Sequence, residues 1–238
     1  MLFKKPKFDW PQRYQTLQLE AEHPAVKDFY YKGIVSGETP LEAVSFMALD
    51  FETTGLNPND DSIISIGMVP FSLQRIYCNN AVYWVVRPNT PLSEESILIH
   101  HIKHSEIQSA PRIERLLEPL LEKLSEHILV VHFQRIERLF LNNTLKEHLG
   151  ETLQFPLIDT MEIEKKALKA RQGLTGRILN KPVGGIRLNN CRERYSLPQY
   201  QSHNALIDAQ ATAELFIAQV AHHFTPQTPV KNLWLDDI

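Results

Sequence analysis

The sequence predicts an α/β fold: a mixed sheet with an antiparallel three-strand edge and helices on both faces. Two observations carry that prediction. Three apolar runs, residues 44–51 (VSFMALDF), 62–71 (SIISIGMVPF) and 81–86 (AVYWVV), follow one another across short connections, as in an antiparallel meander. After them, short apolar runs alternate with stretches of helical periodicity, the pattern of a sheet that continues with helices packed on it.

Each element has its own signal. Residues 1–40 read as a helical N-terminal extension, polar and punctuated by Pro11, Pro24 and Pro40. Within it Trp10, Tyr14, Leu17 and Leu19 have the spacing of an amphipathic helix. The main domain spans residues 41–224. Its first run is apolar almost throughout, which suits a strand buried on both faces. Gly55, Asn57 and Pro58 turn the chain after it. Residues 111–126 place Ile113, Leu116, Leu117, Leu120, Leu121 and Leu124 on one helix face. A short strand at 128–131 (ILVV), a helix at 136–149, a brief strand at 156–158 and a helix at 160–170 follow. Residues 172–186, with Gly173, Gly176, Pro182, Gly184 and Gly185, read as a flexible loop. Helices at 187–195 and 206–222 complete the domain, and residues 225–238 form a C-terminal tail broken by Pro226 and Pro229.

The composition is ordinary for a globular chain, 43% hydrophobic and 22% charged over 238 residues. A net charge of −3 argues against a surface that holds long duplex nucleic acid by charge. Any nucleic acid is expected to be held locally, over a few nucleotides. Cys78 and Cys191 do not make a disulfide framework and read as small buried hydrophobes in a reducing compartment. No apolar run reaches the roughly 18 residues of a membrane helix. The basic start Met1-Leu2-Phe3-Lys4-Lys5 has no apolar stretch behind it, so no signal peptide is expected. The expected location is cytoplasmic.

Asp50 and Glu52 close the first run. Side chains two apart on a strand share a face, so two carboxylates end an otherwise apolar strand together. Two bare like charges there would repel and lose hydration. A divalent cation relieves both, and oxygen ligands suit Mg²⁺ or Mn²⁺. The alternative is that the strand ends by Asp50 and both acids are solvated. Asp208, in the first turn of the last helix, either complements the helix dipole or joins the same ion. His203 lies five residues before it, and an imidazole beside a metal carboxylate can take a proton from an attacking water. Glu137 adjoins the apolar stripe Ile136, Phe140 and Leu141; it points into a cleft or pairs with a neighbouring Arg at the surface.

The segment Asp50-Phe51-Glu52-Thr53-Thr54-Gly55-Leu56, followed by Ile64-Ser65-Ile66-Gly67, resembles the first motif of the DEDD exonucleases. His203-Asn204-Ala205-Leu206-Ile207-Asp208, running on through Glu214-Leu215-Phe216, resembles their third motif in its histidine form. Ile99-His100-His101-Ile102 is similar to the family's Ile-His-Gly-Ile segment, and Ile158-Asp159-Thr160 to another of its landmarks. The likeness runs over residues 44–222 and points toward the proofreading epsilon subunits of bacterial DNA polymerase III and their free-standing homologues.

The resemblance implies a ribonuclease H-like fold and two divalent ions, Mg²⁺ or Mn²⁺. It implies hydrolysis of the terminal phosphodiester at the 3′ end of a DNA or RNA strand, expected to be single-stranded, with release of nucleoside 5′-monophosphates. It implies Asp50, Glu52, Glu137 and Asp208 as metal ligands and His203 as general base. Thr53, Leu56 and His100 would sit near the terminal nucleotide, Leu56 as an apolar wedge against a base.

The middle motif departs from the family. It usually reads His-Asn-Ala-x-Phe-Asp and here reads His132-Phe133-Gln134-Arg135-Ile136-Glu137. The extra methylene displaces the carboxylate by roughly 1.5 Å, whereas catalytic constellations tolerate about 0.5 Å. Arg135 adds a positive charge nearby. Metal binding is expected to survive with a looser second ion, favouring Mn²⁺ over Mg²⁺. Two alternatives follow. One is an enzyme specific for RNA or short oligonucleotides, its choice set at the 2′-OH. The other is a catalytically weak module that binds nucleic-acid ends or a polymerase. Asp159 is the next candidate for the fourth carboxylate if Glu137 stands aside.

His100, His101 and His104 lack a thiolate or acid to complete a zinc site. Lys165, Lys166, Lys169 and Arg171 make a basic helix face, either solvated or rimming a phosphate path. The tail ends Leu233-Trp234-Leu235-Asp236-Asp237-Ile238, which either packs back on its own domain or docks on a replication or repair partner.

Overall fold

The apolar runs pair as one mixed five-stranded sheet in the order β3-β2-β1-β4-β5. The strands are β1 Phe46–Thr53, β2 Ile63–Phe71, β3 Val82–Val85, β4 Ile128–Val131 and β5 Leu157–Asp159. The computed structural model describes residues 8–88, 102–171, 184–201 and 203–235. β1, β2 and β3 form the expected antiparallel edge; β4 joins β1, and β5 joins β4, in parallel. β1 is central, and every residue in it except Asp50 is buried. That two-sided burial explains an apolar run without alternation.

Around the sheet lie α1 Trp10–Glu20, α2 Pro24–Tyr31, α3 His104–Ser109, α4 Leu117–Leu124, α5 Gln134–Leu149, α6 Thr160–Arg171, α7 Leu188–Arg194 and α8 Ala205–His223. α8 lays Ala209, Ala213, Phe216 and Val220 into the core, where the Phe216 ring meets Phe46 at 5.1 Å and Phe71 at 6.0 Å. Its small residues let the helix lie close on β1 and β2. None of the helices is long and apolar enough to cross a membrane among the described residues.

The N-terminal helices belong to the same core. The Asp9 side chain accepts from the Gln12 N–H, and Pro11 sits in the first turn of α1; Pro24 opens α2. Trp10, Tyr14, Phe29 and Tyr30 turn inward as an aromatic cluster, and the Tyr30 hydroxyl accepts the Gln154 N–H at 2.8 Å. Leu19, assigned to the apolar stripe from its spacing, is instead 82% exposed.

Two elements differ from the sequence reading. The single helix over 111–126 is a 3₁₀ turn at Ile113–Arg115 followed by α4. Pro119 explains the late start: it has no N–H to give and is tolerated only in a first turn, so the helix begins at Leu117. α3 is six residues long, too short to show a period. Cys191 is buried as expected, but Cys78 is exposed.

The tail packs on its own domain. Val230, Leu233 and Trp234 are buried, the Lys231 N–H bonds the Gly37 carbonyl at 3.0 Å, and the Leu235 N–H bonds the Leu157 carbonyl at 2.7 Å. This is the packing-back reading of the tail: Trp234, the side chain on which the docking alternative rests, is buried against this chain. His100, His101 and the greater part of the 172–186 loop lie outside the described residues.

Candidate active site

The parallel half of the sheet places its chemistry at the carboxyl end. Asp50 and Glu52 lie at the end of β1, and Glu137 lies one turn into α5, which follows β4. Asp208 comes from the first turn of α8. Carboxylate oxygens of Asp50, Glu52 and Asp208 all lie within 4.8 Å of one another.

The antiparallel half brings Asp208 there. Gly67 of β2 pairs with Asp50 of β1. A Cβ on Gly67 would meet the Ala205 carbonyl oxygen at 2.0 Å and the Leu206 nitrogen at 2.5 Å. The missing side chain therefore lets α8 begin directly over the strand pair, beside Asp50. Asn204 caps the helix, its Oδ1 accepting the Leu206 and Ile207 N–H groups at 3.1 and 3.2 Å.

The electrostatics match a cation site. Burial, then the charges of Glu137, Glu52 and Asp208, push the Asp50 carboxyl well above its ordinary pKa. Asp208 is also raised, by burial first; the His203 N–H bond and the His203 charge oppose that rise, and Glu52 adds to it. Glu137 is buried, its Oε2 has no hydrogen-bond partner among the described residues, and burial pushes its carboxyl well up. Negative charge gathered out of water with an orphaned oxygen is what a divalent ion would stabilise. The residues present fit such an ion.

His203 is exposed and adopts φ +70°. Its backbone N–H donates to Asp208 Oδ2 at 2.8 Å, which fixes the residue beside the acid cluster. The approach to it is held by buried Arg192. That guanidinium donates to the Ala211 and Pro198 carbonyls and to Glu214 Oε2 at 2.7 to 2.8 Å, and lies 4.6 Å from the Tyr200 ring. The Tyr200 hydroxyl donates to Glu214 Oε1 at 2.9 Å. Burial alone would raise Glu214, yet the bonds from Arg192, Gln210 and Tyr200 hold it below its ordinary pKa.

The middle motif keeps its scaffold despite its altered letters. His132 Nδ1 lies 2.8 Å from Thr160 Oγ1 and Nε2 lies 3.0 Å from the Ile186 carbonyl. Burial lowers its pKa, which favours a neutral ring. Asp159 is not a spare ligand: its oxygens accept the N–H groups of Phe133, Gln134 and Met161 at 3.1, 3.0 and 2.8 Å. It pins the start of α5, so the fallback assignment of Asp159 to the ion is corrected. Phe133 takes a left-handed φ of +85°, a conformation that costs a side chain with a Cβ on the order of 1–2 kcal/mol.

Thr53 is buried and its hydroxyl donates to the Gly55 carbonyl at 2.6 Å, while Leu56 stands 81% exposed at the lip of the cleft. His100 lies outside the described residues. Lys165 pairs with Glu162 one turn earlier on α6, as on a solvated face. Sequence reasoning missed the role of Gly67 and the Arg192 clamp. An isolated glycine inside a strand is a signal of close backbone approach and points to Gly67. Nothing in the sequence marks Arg192 among the other arginines.

Comparison with known proteins agrees with this geometry. Residues 47–216 match the family model described as Exonuclease (RNase_T). The chain is 30% identical over 183 residues to the PolC-type DNA polymerase III of Thermotoga petrophila, covering 77% of this chain and only 12% of that polymerase. It is 29% identical over 182 residues to the DNA polymerase III epsilon subunit of Treponema pallidum, covering 76% of this chain and 79% of the subunit. Among solved structures, the nuclease domain of 3′hExo, a DEDDh family member solved with rAMP, gives a TM-score of 0.60 at 17% identity, covering 75% of this chain and 92% of that one. Exonuclease X, solved with 5′-overhanging duplex DNA, gives 0.57 at 21% identity, covering 78% and 97%. Both share the mixed sheet and its helices. The chain belongs to the Exonuclease (RNase_T) family and has the ribonuclease H-like fold of the DEDDh nucleases.

Proposed function

We propose that this chain is a 3′→5′ exonuclease that removes nucleoside 5′-monophosphates from single-stranded nucleic-acid ends. The observation that carries the reading is the convergence of Asp50, Glu52 and Asp208 within 4.8 Å, with His203 tied to Asp208 through its backbone. Asp50, Glu52, Asp208 and Glu137 would hold Mg²⁺ or Mn²⁺, as a pair. Such ions supply charge neutralisation at the phosphate and a lowered pKa for water. His203 takes the proton of the attacking water as its oxygen bonds to phosphorus and the bond to the 3′-oxygen breaks. Its exposure keeps it within reach of that water. Thr53 and Leu56 border the place of the terminal nucleotide, with Leu56 as the wedge between bases.

The test is a 5′-labelled single-stranded oligonucleotide incubated with Mn²⁺ or Mg²⁺. A ladder shortening one nucleotide at a time from the 3′ end is expected, stopped by chelation and absent in Asp50→Ala. Parallel DNA and RNA strands report the preferred sugar. A wild-type rate in folded Asp50→Ala, or activity that survives chelation, would rule out this site.

A further inference from the structure

A groove of about 660 Å³ opens between the loop after β1 and the start of α5, lined by Leu56, Pro58, Phe133, Arg135, Ile136 and Leu139. One wall is the loop after β1, four residues beyond Glu52; the other is the first two turns of α5, which also carry Glu137. Leu56, Phe133 and Leu139 are 81%, 39% and 38% exposed. Three large apolar side chains thus face solvent on one cleft, where a protein surface ordinarily avoids such a patch.

The walls are braced. Asn143 of α5 donates to the Pro58 carbonyl at 2.9 Å and to Asn59 Oδ1 at 3.0 Å, tying one wall to the other. Asp61 accepts from the Thr54 hydroxyl and the Asn57 N–H, both at 2.9 Å, and so holds the loop that presents Leu56. Phe133 stands in a left-handed conformation where the family pattern has asparagine, a residue that adopts it more readily. The chain bears that strain for a ring left partly in water. The Asp159 carboxylate, bonded to the Phe133 N–H at 3.1 Å, holds the backbone in that conformation.

We infer that this groove is a stacking subsite for unpaired bases of the strand upstream of the scissile phosphate, with Phe133 as platform. The inference rests on the exonuclease reading and adds where the strand upstream of the cut is held. The groove shares its walls with the site: the loop that carries Leu56 leaves β1 just after Glu52, and the helix that begins at Phe133 and Gln134 also carries Glu137. Leu56, Phe133 and Leu139 offer apolar surface to base faces, and Arg135 offers a cation to a phosphate. Aromatic stacking accepts any base but requires it unstacked from a partner strand. A single-stranded or frayed end is therefore the form the groove takes.

The test is equilibrium binding of a 5′-fluorescein oligothymidylate eight nucleotides long, followed by anisotropy in chelator. Phe133→Asn keeps a residue suited to the backbone there, so it is expected to unfold no lower than wild type. Its affinity is expected to fall about tenfold, and Phe133→Trp is expected to restore it. Leu139→Gln, at the groove lip, is expected to weaken binding as well and carries the test if Phe133→Asn does not fold. A blunt duplex of the same strand should bind more weakly than the single strand and be indifferent to Phe133→Asn. Unchanged single-strand affinity in both variants, or no binding by wild type, overturns the subsite. Separately, failure of wild type to shorten either this oligomer or the matching oligouridylate with Mn²⁺ would overturn the exonuclease reading while leaving the binding result to stand.

Discussion

Gly67 lies opposite Asp50 across the β1–β2 ladder, and the Ala205 carbonyl occupies the space of its missing side chain at 2.0 Å. The pairing sets how near α8, and with it Asp208, comes to the two acids of β1. Gly67→Ala must push the start of α8 outward. It is expected to cost about 2 kcal/mol, as overpacking does. Nucleotide release should fall about a hundredfold, since a misplacement of about 1 Å can cost that much. Thermal unfolding and release rates on one preparation measure both. A variant matching wild type in both would refute the close approach.

Trp234 supplies the second expectation. It is 8% exposed in the 3₁₀ turn region that follows Pro229, with Leu233 and Val230 buried beside it. Trp234→Ala is expected to lower stability by about 3 kcal/mol, the low end for such a truncation. Urea unfolding reads the loss. An unchanged midpoint would mean that the indole contributes nothing to this fold and would reopen the docking reading of the tail.

A pH dependence follows from Glu164. It is buried on α6 and accepts from Arg194 Nε at 2.7 Å, the Tyr195 hydroxyl at 2.8 Å and Gln219 Nε2 at 3.2 Å. Burial pulls its pKa up, but these donors prevail and hold the carboxyl below its ordinary value. A folded-state pKa below the unfolded one gives stability that is complete above about pH 4.3 and is lost as pH falls through the folded value. Glu164→Gln should therefore be less stable than wild type at pH 7, by about 2 kcal/mol. The gap should narrow toward pH 3. Equal gaps at both pH values would show that an ionised Glu164 does not bind α6, α7 and α8 together.

The strands and long helices were legible because period and burial are local facts. β1 reads as an unbroken apolar run, and the stretch 206–222 as a helix. Asp50, Glu52, His203 and Asp208 were legible through spacing and motif. The Asp159 role was not, since a carboxylate that caps a helix and one that binds an ion look alike in sequence. Only the N–H groups of Phe133, Gln134 and Met161 separate them. Pairwise events between distant segments, such as Gly67 against Ala205 or Arg192 against Pro198, leave no periodic trace.

Glu137 is where the chain departs from its family, and the geometry gives the departure a direction. Asp159 pins the start of α5, and the Glu137 charge is close enough to contribute, after burial, to the raised pKa of Asp50. Glu137 thus lies near enough for its charge to act on Asp50 from a fixed helix, while the carboxylates that converge within 4.8 Å are Asp50, Glu52 and Asp208. Glu137→Asp should draw the carboxylate back and lower nucleotide release with both ions, more with Mg²⁺ than with Mn²⁺, which accepts less regular geometry. In metal-free protein the opposite sign is expected for stability. Burial comes first in raising the folded-state pKa of Glu137, with Asp159 and Glu52 adding to it against a bond to its own backbone. A raised folded pKa means that stability declines as pH climbs from about 4.3 through the folded value. Glu137→Gln removes that decline. It should gain about 1 kcal/mol over wild type at pH 7, roughly 2–4 °C in Tm, and nothing at pH 4. Added Mn²⁺ should then raise the Tm of wild type more than that of Glu137→Gln, because a ligand that binds only the folded state stabilises it more the tighter it binds. Equal Mn²⁺-induced shifts in the two proteins would remove Glu137 from the metal site and leave three carboxylates to hold it.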